Sequence, residues 1–248
     1  DEINSLLRDR FNNIWLGSIG GGVLMIDTKQ SPFAFYSLNL AEDDVPTTAV
    51  RALFADADKD LWLGTGSYGL ARKDYETGVL SFFSHIPEFS DIPGVPTVNY
   101  IIQRKNGEVW FATYDGGILI YEKGEKVKVL TESDTPYLYS DCVSALCEDS
   151  KGNCWVGCRG GMGISLADGG HYRFGTLSFA GGGLADWYHV KDIVEDADGS
   201  FWIATANYGI IHIMGDVQHP ETLKYSNYSY NNGQLATNSV LCLHVDKS

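Results

Sequence analysis

Long apolar runs are missing from this 248-residue chain. Nothing approaches the roughly 18 consecutive apolar residues of a membrane-crossing helix, so no membrane contact is expected of it. No leader pattern opens it, as expected if the sequence is a piece of a longer protein. Basic residues are scarce. Lys and Arg number 18 against 32 Asp and Glu, for a net charge of −14. The densest basic run, Lys123 to Lys128, is diluted by Glu125. A polyanion partner needs clustered cations, so nucleic-acid binding is excluded. The acidic excess reads as solubility for a Gly-rich β protein.

Catalytic and metal-binding signatures are also lacking. There is no HExxH and no Ser-His-Asp order. Asp56-x-Asp58-x-Asp60 begins like a calcium loop but lacks the Gly at position six and the Glu at position twelve. No metal and no cofactor is expected. The five cysteines are Cys142, Cys147, Cys154, Cys158 and Cys242. Four crowd one stretch, expected on two adjacent strands pointing to both faces, which argues against zinc. Buried free thiols are the expected state. A disulfide between Cys147 and Cys154 is the alternative, if a turn over Asp149 to Gly152 sets them facing. An odd count leaves at least one thiol free or paired outside the chain.

What is present is a sentence written five times. Each copy has a short apolar strand, a polar turn, a Trp-centred strand and a Gly turn. The tryptophans fall at Trp15, Trp62, Trp110, Trp155 and Trp202, with gaps of 47, 48, 45 and 47 residues. A period in this range marks a repeat architecture. First strands are Ile3 to Leu7, Val50 to Phe54, Val98 to Ile102, Val143 to Cys147 and Val190 to Val194. The turns after them are rich in Asp, Asn and Gly, which tolerate positive φ and bond local backbone. A Gly follows seven residues after the Trp at Gly22, Gly69, Gly117 and Gly209, and an inserted residue in the fourth copy is expected to move it to Gly163. Four short strands per repeat, with no credible helix, predict β-propeller blades. The fold class is all-β: one propeller segment over 1–248, with five four-stranded blades at about 3–37, 49–84, 97–131, 141–175 and 188–226. Residues 238–248 begin a sixth, and an open arc of a larger propeller is expected. Its two raw blade edges invite self-association, including a homodimer. The five repeat tryptophans read as wedges between blades, since packing is periodic and binding sites rarely are.

The motif resembles the two-component regulator propeller repeat, V-x-x-I-x-E-D-x-x-G-x-L-W-I-G-T-x-x-G-G-L-x-x-Y. Val143 to Cys158 and Val50 to Leu70 carry the likeness best, and Asn232 to Val240 resembles the lead-in to a new blade. Arg104 in place of Asp, Cys158 in place of Thr and the insertion near Met162 depart from it. The resemblance implies a seven-bladed propeller in the periplasmic sensor region of a hybrid histidine kinase/response regulator. It further implies recognition of glycan fragments and a kinase elsewhere in the full protein. The neighbouring blades and domains of that receptor are then its partners. The acidic turns are also similar to the sialidase Asp-box, but there the Asp stands two residues before the Gly, whereas Asp149 and Asp196 stand three before.

Topology then sorts candidate residues. If the first strand runs from top to bottom, the acidic turns lie at the bottom. The turns between second and third strands lie at the top, with the long connectors. Long loops on a rigid scaffold are where binding concentrates. Tyr68, Tyr114, Arg159 and Tyr208 thus share the top with Tyr100, Trp187, Tyr188 and His189, and Arg51 lies near the axis. Trp187 is the sixth Trp, outside the repeat register. Aromatic rings stack on sugar faces, while Arg and His bond hydroxyls or carboxylates. An oligosaccharide or small-molecule ligand is expected. A glycosidase needs two carboxylates on one face, and here the carboxylates cluster at the opposite end, so no catalytic residue is expected. A protein-docking scaffold and a carbohydrate-active propeller enzyme are the alternatives.

Overall fold

The structure, a computed structural model, describes residues 3–19, 22–27, 31–36, 49–66, 68–83, 86–92, 96–175, 177–179, 184–185 and 188–246. Each Trp strand is the second of four in its own antiparallel sheet, with the strands in chain order. The first sheet comprises Ile3–Arg8, Ile14–Ser18, Gly22–Asp27 and Ser31–Tyr36. The second comprises Val50–Ala55, Leu61–Thr65, Leu70–Lys73 and Leu80–Phe82. The third comprises Val98–Gln103, Val109–Thr113, Ile118–Tyr121 and Lys128–Leu130. The fourth is Val143–Glu148, Cys154–Cys158, Gly161–Ser165 and His171–Phe174, and the fifth Val190–Glu195, Phe201–Thr205, Ile210–Met214 and Lys224–Tyr228. These five sheets are the blades of a β-propeller fold. No α-helix occurs among the described residues, so none is long and apolar enough to cross a membrane. The chain divides into two compact units, Asp1–Val129 and Leu130–Ser248.

The Trp register works through an acceptor in the turn before it. Trp15, Trp62, Trp155 and Trp202 each donate Nε1–H to the turn Asp six residues earlier, at 2.9, 2.7, 3.1 and 2.9 Å. The acidic turns therefore do more than close a hairpin, because the same carboxylate satisfies an indole N–H that burial would otherwise leave costly. Asp149, 1% exposed, also accepts from Asn153 N–H and Asn153 Nδ2, both at 2.8 Å.

Within each unit the core lies between successive sheets. In the first unit, Trp62 of the second sheet packs on Phe111 and Tyr121 of the third, with centroids 5.1 and 5.0 Å apart. In the second unit, Trp155 lies 4.1 Å from Phe201 of the next sheet. In the first, second and fourth repeats the glycine two after the Trp makes room for the Val that begins the following blade. A Cβ on Gly64 would stand 2.8 Å from Val98 Cγ1, and one on Gly157 2.4 Å from Val190 Cγ1. Either substitution would force the sheets apart.

Three local expectations need correction. Cys147 and Cys154 do not face each other. Asp149 N–H bonds Asn153 O, so Cys147 pairs with Trp155 and Glu148 with Cys154. That one-residue offset sends the two thiols to opposite faces, and all five cysteines are free. The fourth repeat's turn glycine is Gly160, at φ 96°, and Gly163 lies inside the strand Gly161–Ser165. With Cys158 paired to Gly161, the fourth copy turns in fewer residues rather than more. Residues 240–246 form no strand. They lie against the fifth sheet, where Val240 N–H donates to Thr205 O at 2.9 Å and Leu243 N–H to Asp192 at 2.8 Å.

Candidate functional site

The antiparallel order puts the turns between second and third strands beside the lead-ins to the first strands, as expected. Gly66 N–H bonds Ala49 O, Tyr114 N–H bonds Thr97 O, Arg159 N–H bonds Cys142 O and Ala206 N–H bonds His189 O, each between 2.8 and 3.0 Å. These hydrogen bonds fix the end of each blade from which the candidate residues project.

In the first unit, Tyr114 is the exposed aromatic of this end, 44% accessible, and Arg51 is exposed with its Nε against Gly66. Tyr100 is half-buried on the first strand of its sheet, opposite Ala112. Tyr68 is chiefly a packing residue, with its ring edge-on to Phe82 at 6.4 Å beside the core.

In the second unit, Arg159 and His189 form an isolated β-bridge and are brought together with Lys191. His189 is half-buried, and its N–H donates to Asn207 Oδ1 at 3.2 Å. Burial first, then the charges of Lys191 and Arg159, push its imidazole down to about 4. It is therefore neutral at physiological pH, able to donate from one ring nitrogen and accept at the other. Two cations beside a neutral imidazole suit hydroxyls and carboxylates. Lys191 and Asn207 escaped the sequence reading because charged and amide residues at strand ends carry no pattern.

One predicted ligand contact, Tyr188, is corrected to a core role. Tyr188 is fully buried, and its hydroxyl donates to Phe174 O at 2.6 Å. It anchors the connector over the fourth sheet and cannot meet a ligand. Tyr208 packs against the core of the second unit, with its N–H bonded to Thr205 Oγ1 at 2.9 Å. Trp187 lies outside the described residues.

The turn carboxylates are occupied. Burial raises the Asp9 carboxyl, but hydrogen bonds from Trp15, Asn13 and Phe11 outweigh it and leave the group below the usual range. Burial likewise holds the Cys147 and Cys158 thiols up, at about 12 and about 11, so neither is nucleophilic at neutral pH. No group of three or more His, Cys, Asp or Glu side chains among the described residues could hold a metal ion.

Comparison with known proteins bears on these blades. Residues 140–160 match the family model described as two component regulator propeller. This chain carries a repeat of that family. No curated protein matches the chain. Among solved structures, it is similar to the extracellular domain BT3049 of B. thetaiotaomicron, assigned to a hybrid two component system. The TM-score is 0.71 at 20% identity, over 96% of this chain and 30% of that one. It is also similar to PorZ, a surface component of the type-IX secretion system of Porphyromonas gingivalis, with TM-score 0.69 and 20% identity over 98% and 36% of the two chains. Virginiamycin B lyase of Staphylococcus aureus gives TM-score 0.63 at 14% identity over 94% and 72%. The chain thus spans about a third of the first two structures, and at these identities the likeness is one of fold.

Proposed function

We propose that this chain is a non-catalytic, ligand-sensing propeller segment of a periplasmic two-component receptor, and that it recognises a glycan fragment or similar metabolite. The observation that carries the reading is the family match at residues 140–160. The fold shared with extracellular domains assigned to two-component systems supports it. The lyases of the same fold are enzymes, but glycosidic chemistry needs paired carboxylates facing a substrate. Here Asp9, Asp56, Asp149 and Asp196 are bound to the indoles of their own repeats, and Asp149 and Asp196 lie at the end of their sheets opposite Arg159 and His189. Ligand binding would shift an existing equilibrium between receptor arrangements, through its differential affinity for them.

A thermal-shift screen against oligosaccharides tests the reading. A ligand at a hundred times its Kd should stabilise by about 2.7 kcal/mol. The expected result is a saccharide that raises the Tm of wild type and fails to raise that of Arg159→Ala, His189→Ala or Trp187→Ala. A panel that shifts neither this chain nor the longer receptor region would overturn sensing and favour docking.

A further inference from the structure

At the end that carries the turns, a side chain immediately before the turn ties neighbouring sheets in two of the seams. Between the second and third sheets, Gln103 accepts from Ala57 N–H at 2.7 Å. Between the fourth and fifth, Glu195 accepts from Ser150 N–H and Ser150 Oγ, both at 2.6 Å. Gln103 and Glu195 hold the same repeat position, immediately before the turn, and Ala57 and Ser150 each follow a turn Asp. Between the first and second sheets the tying position is Ala55 and the receiving one is Arg10. A methyl group cannot accept a hydrogen bond, nor fill the space of a Gln or Glu side chain.

That space is a cavity of about 220 Å³ lined by Ala55, Trp15, Met25 and Leu61. Phe11 and Tyr75 also line it and stack on each other with centroids 5.5 Å apart and planes 4° from parallel. They are 38% and 46% exposed, unusual for aromatics within turns. Lys59 Nζ lies 4.7 Å from the Tyr75 ring centre, and Lys73 Nζ 5.4 Å from that of Trp15. Arg10 ties the seam at another point, donating to Asp56 O and Ala57 O at 3.2 and 3.1 Å. The two carboxylates of the lining are turned to their own loops. Asp9 accepts from Trp15, Phe11 and Asn13, and Asp74 from Thr77 N–H and Oγ at 2.7 and 2.8 Å. Among the described residues the lining sets Arg10, Lys59 and Lys73 beside Asp9 and Asp74 around an apolar floor.

We propose that this cavity binds a compact cyclic carboxylate. The ring lies against the aromatic wall and the acid group meets Lys59. At this volume it takes one ring or a fused pair and not an oligosaccharide, since sites for drug-sized ligands begin near 300 Å³. The inference is independent of the reading proposed above, which rests on Arg159 and His189 in the second unit.

Calorimetric titration of the 248-residue chain tests it. Indole-3-acetate and D-glucuronate are the probes, with indole-3-ethanol and D-glucose as uncharged counterparts. At least one acid should bind, and its neutral counterpart about tenfold or more weaker, because charge-assisted bonds are lost. The better acid tells an aromatic ligand from a sugar acid. Ala55→Gln, which rebuilds the tie seen in the next seam, should abolish binding without lowering the Tm. Lys59→Met, at the surface, should weaken binding about tenfold and decides the matter if Ala55→Gln disturbs the fold. The proposal is overturned if neither acid binds at millimolar concentration, if acid and neutral forms bind alike, or if both variants bind as wild type does.

Discussion

In the third sheet, Arg104 occupies the turn position that is Asp in the other four repeats; in the second sheet, Ala55 occupies the position that is Gln103 or Glu195 two seams elsewhere. Both changes delete an acceptor, with different consequences. The indole of Trp110 remains satisfied, because Glu108 accepts its Nε1–H at 3.0 Å. Arg104 contributes from its new role, 4.0 Å from Glu108 and 4.9 Å above the Trp110 ring. Ala55 offers no such acceptor, and a cavity lies beside it. What the Trp register maintains is therefore an acceptor for the indole N–H, from whichever residue can reach it. A departure that is compensated preserves packing, and one that is not leaves space a ligand can use.

The largest expected effect separates the repeat from both departures. Trp155 is fully buried, so Trp155→Ala should cost about 3–5 kcal/mol in denaturant unfolding. Asp149→Ala leaves the Trp155 and Asn153 donors without their carboxylate and should cost about 2–3 kcal/mol. Glu108→Ala removes the substitute acceptor at a more exposed turn and should cost about 1–2 kcal/mol. If Glu108→Ala were as costly as Asp149→Ala, the third turn would be an equal of the others and not a compensated variant.

The smallest effects appear with pH. Burial raises the Glu108 carboxyl, but hydrogen bonds from Asn106 and Trp110 and the charges of Arg104 and Lys128 outweigh it and lower the group below 4.5. Its contribution is present above the unfolded value and is lost as pH falls through the folded one, so Glu108→Gln should flatten Tm against pH below about 4.5. His189 behaves differently. Its folded value of about 4 lies below the ordinary 6.5, so between these values the unfolded chain takes up a proton that the folded chain refuses. Stability should fall as pH drops from 6.5 to 4, and His189→Gln should remove that part of the slope.

Most of the architecture was legible in the sequence, because a Trp every 45–48 residues can be read without knowing what it touches. The blades, the strand order and the placement of turns at opposite ends all follow from that period. Register was not legible to one residue. Whether Cys147 faces Cys154 or Trp155 depends on where Asp149 closes its turn, and side chains change face with every residue of a strand. Tyr188 read as a ligand contact because it follows an off-register Trp, yet its hydroxyl is consumed by Phe174 O. Arg159 and His189 meet in a bridge at one end of their sheets, while the cavity beside Ala55 left no trace in the sequence, since a missing side chain looks like any other alanine. Phe11, an aromatic in a turn that is polar elsewhere, was the available signal.

The most direct test of the central claim is the stability of Glu108→Ser alone and with Arg104→Asp. The single change should lose about 1–2 kcal/mol by stranding the Trp110 indole. Adding Arg104→Asp installs the acceptor used by the other four repeats and should recover most of that loss. Recovery would establish that any carboxylate able to reach the indole serves the repeat. A double variant no more stable than Glu108→Ser would contradict it.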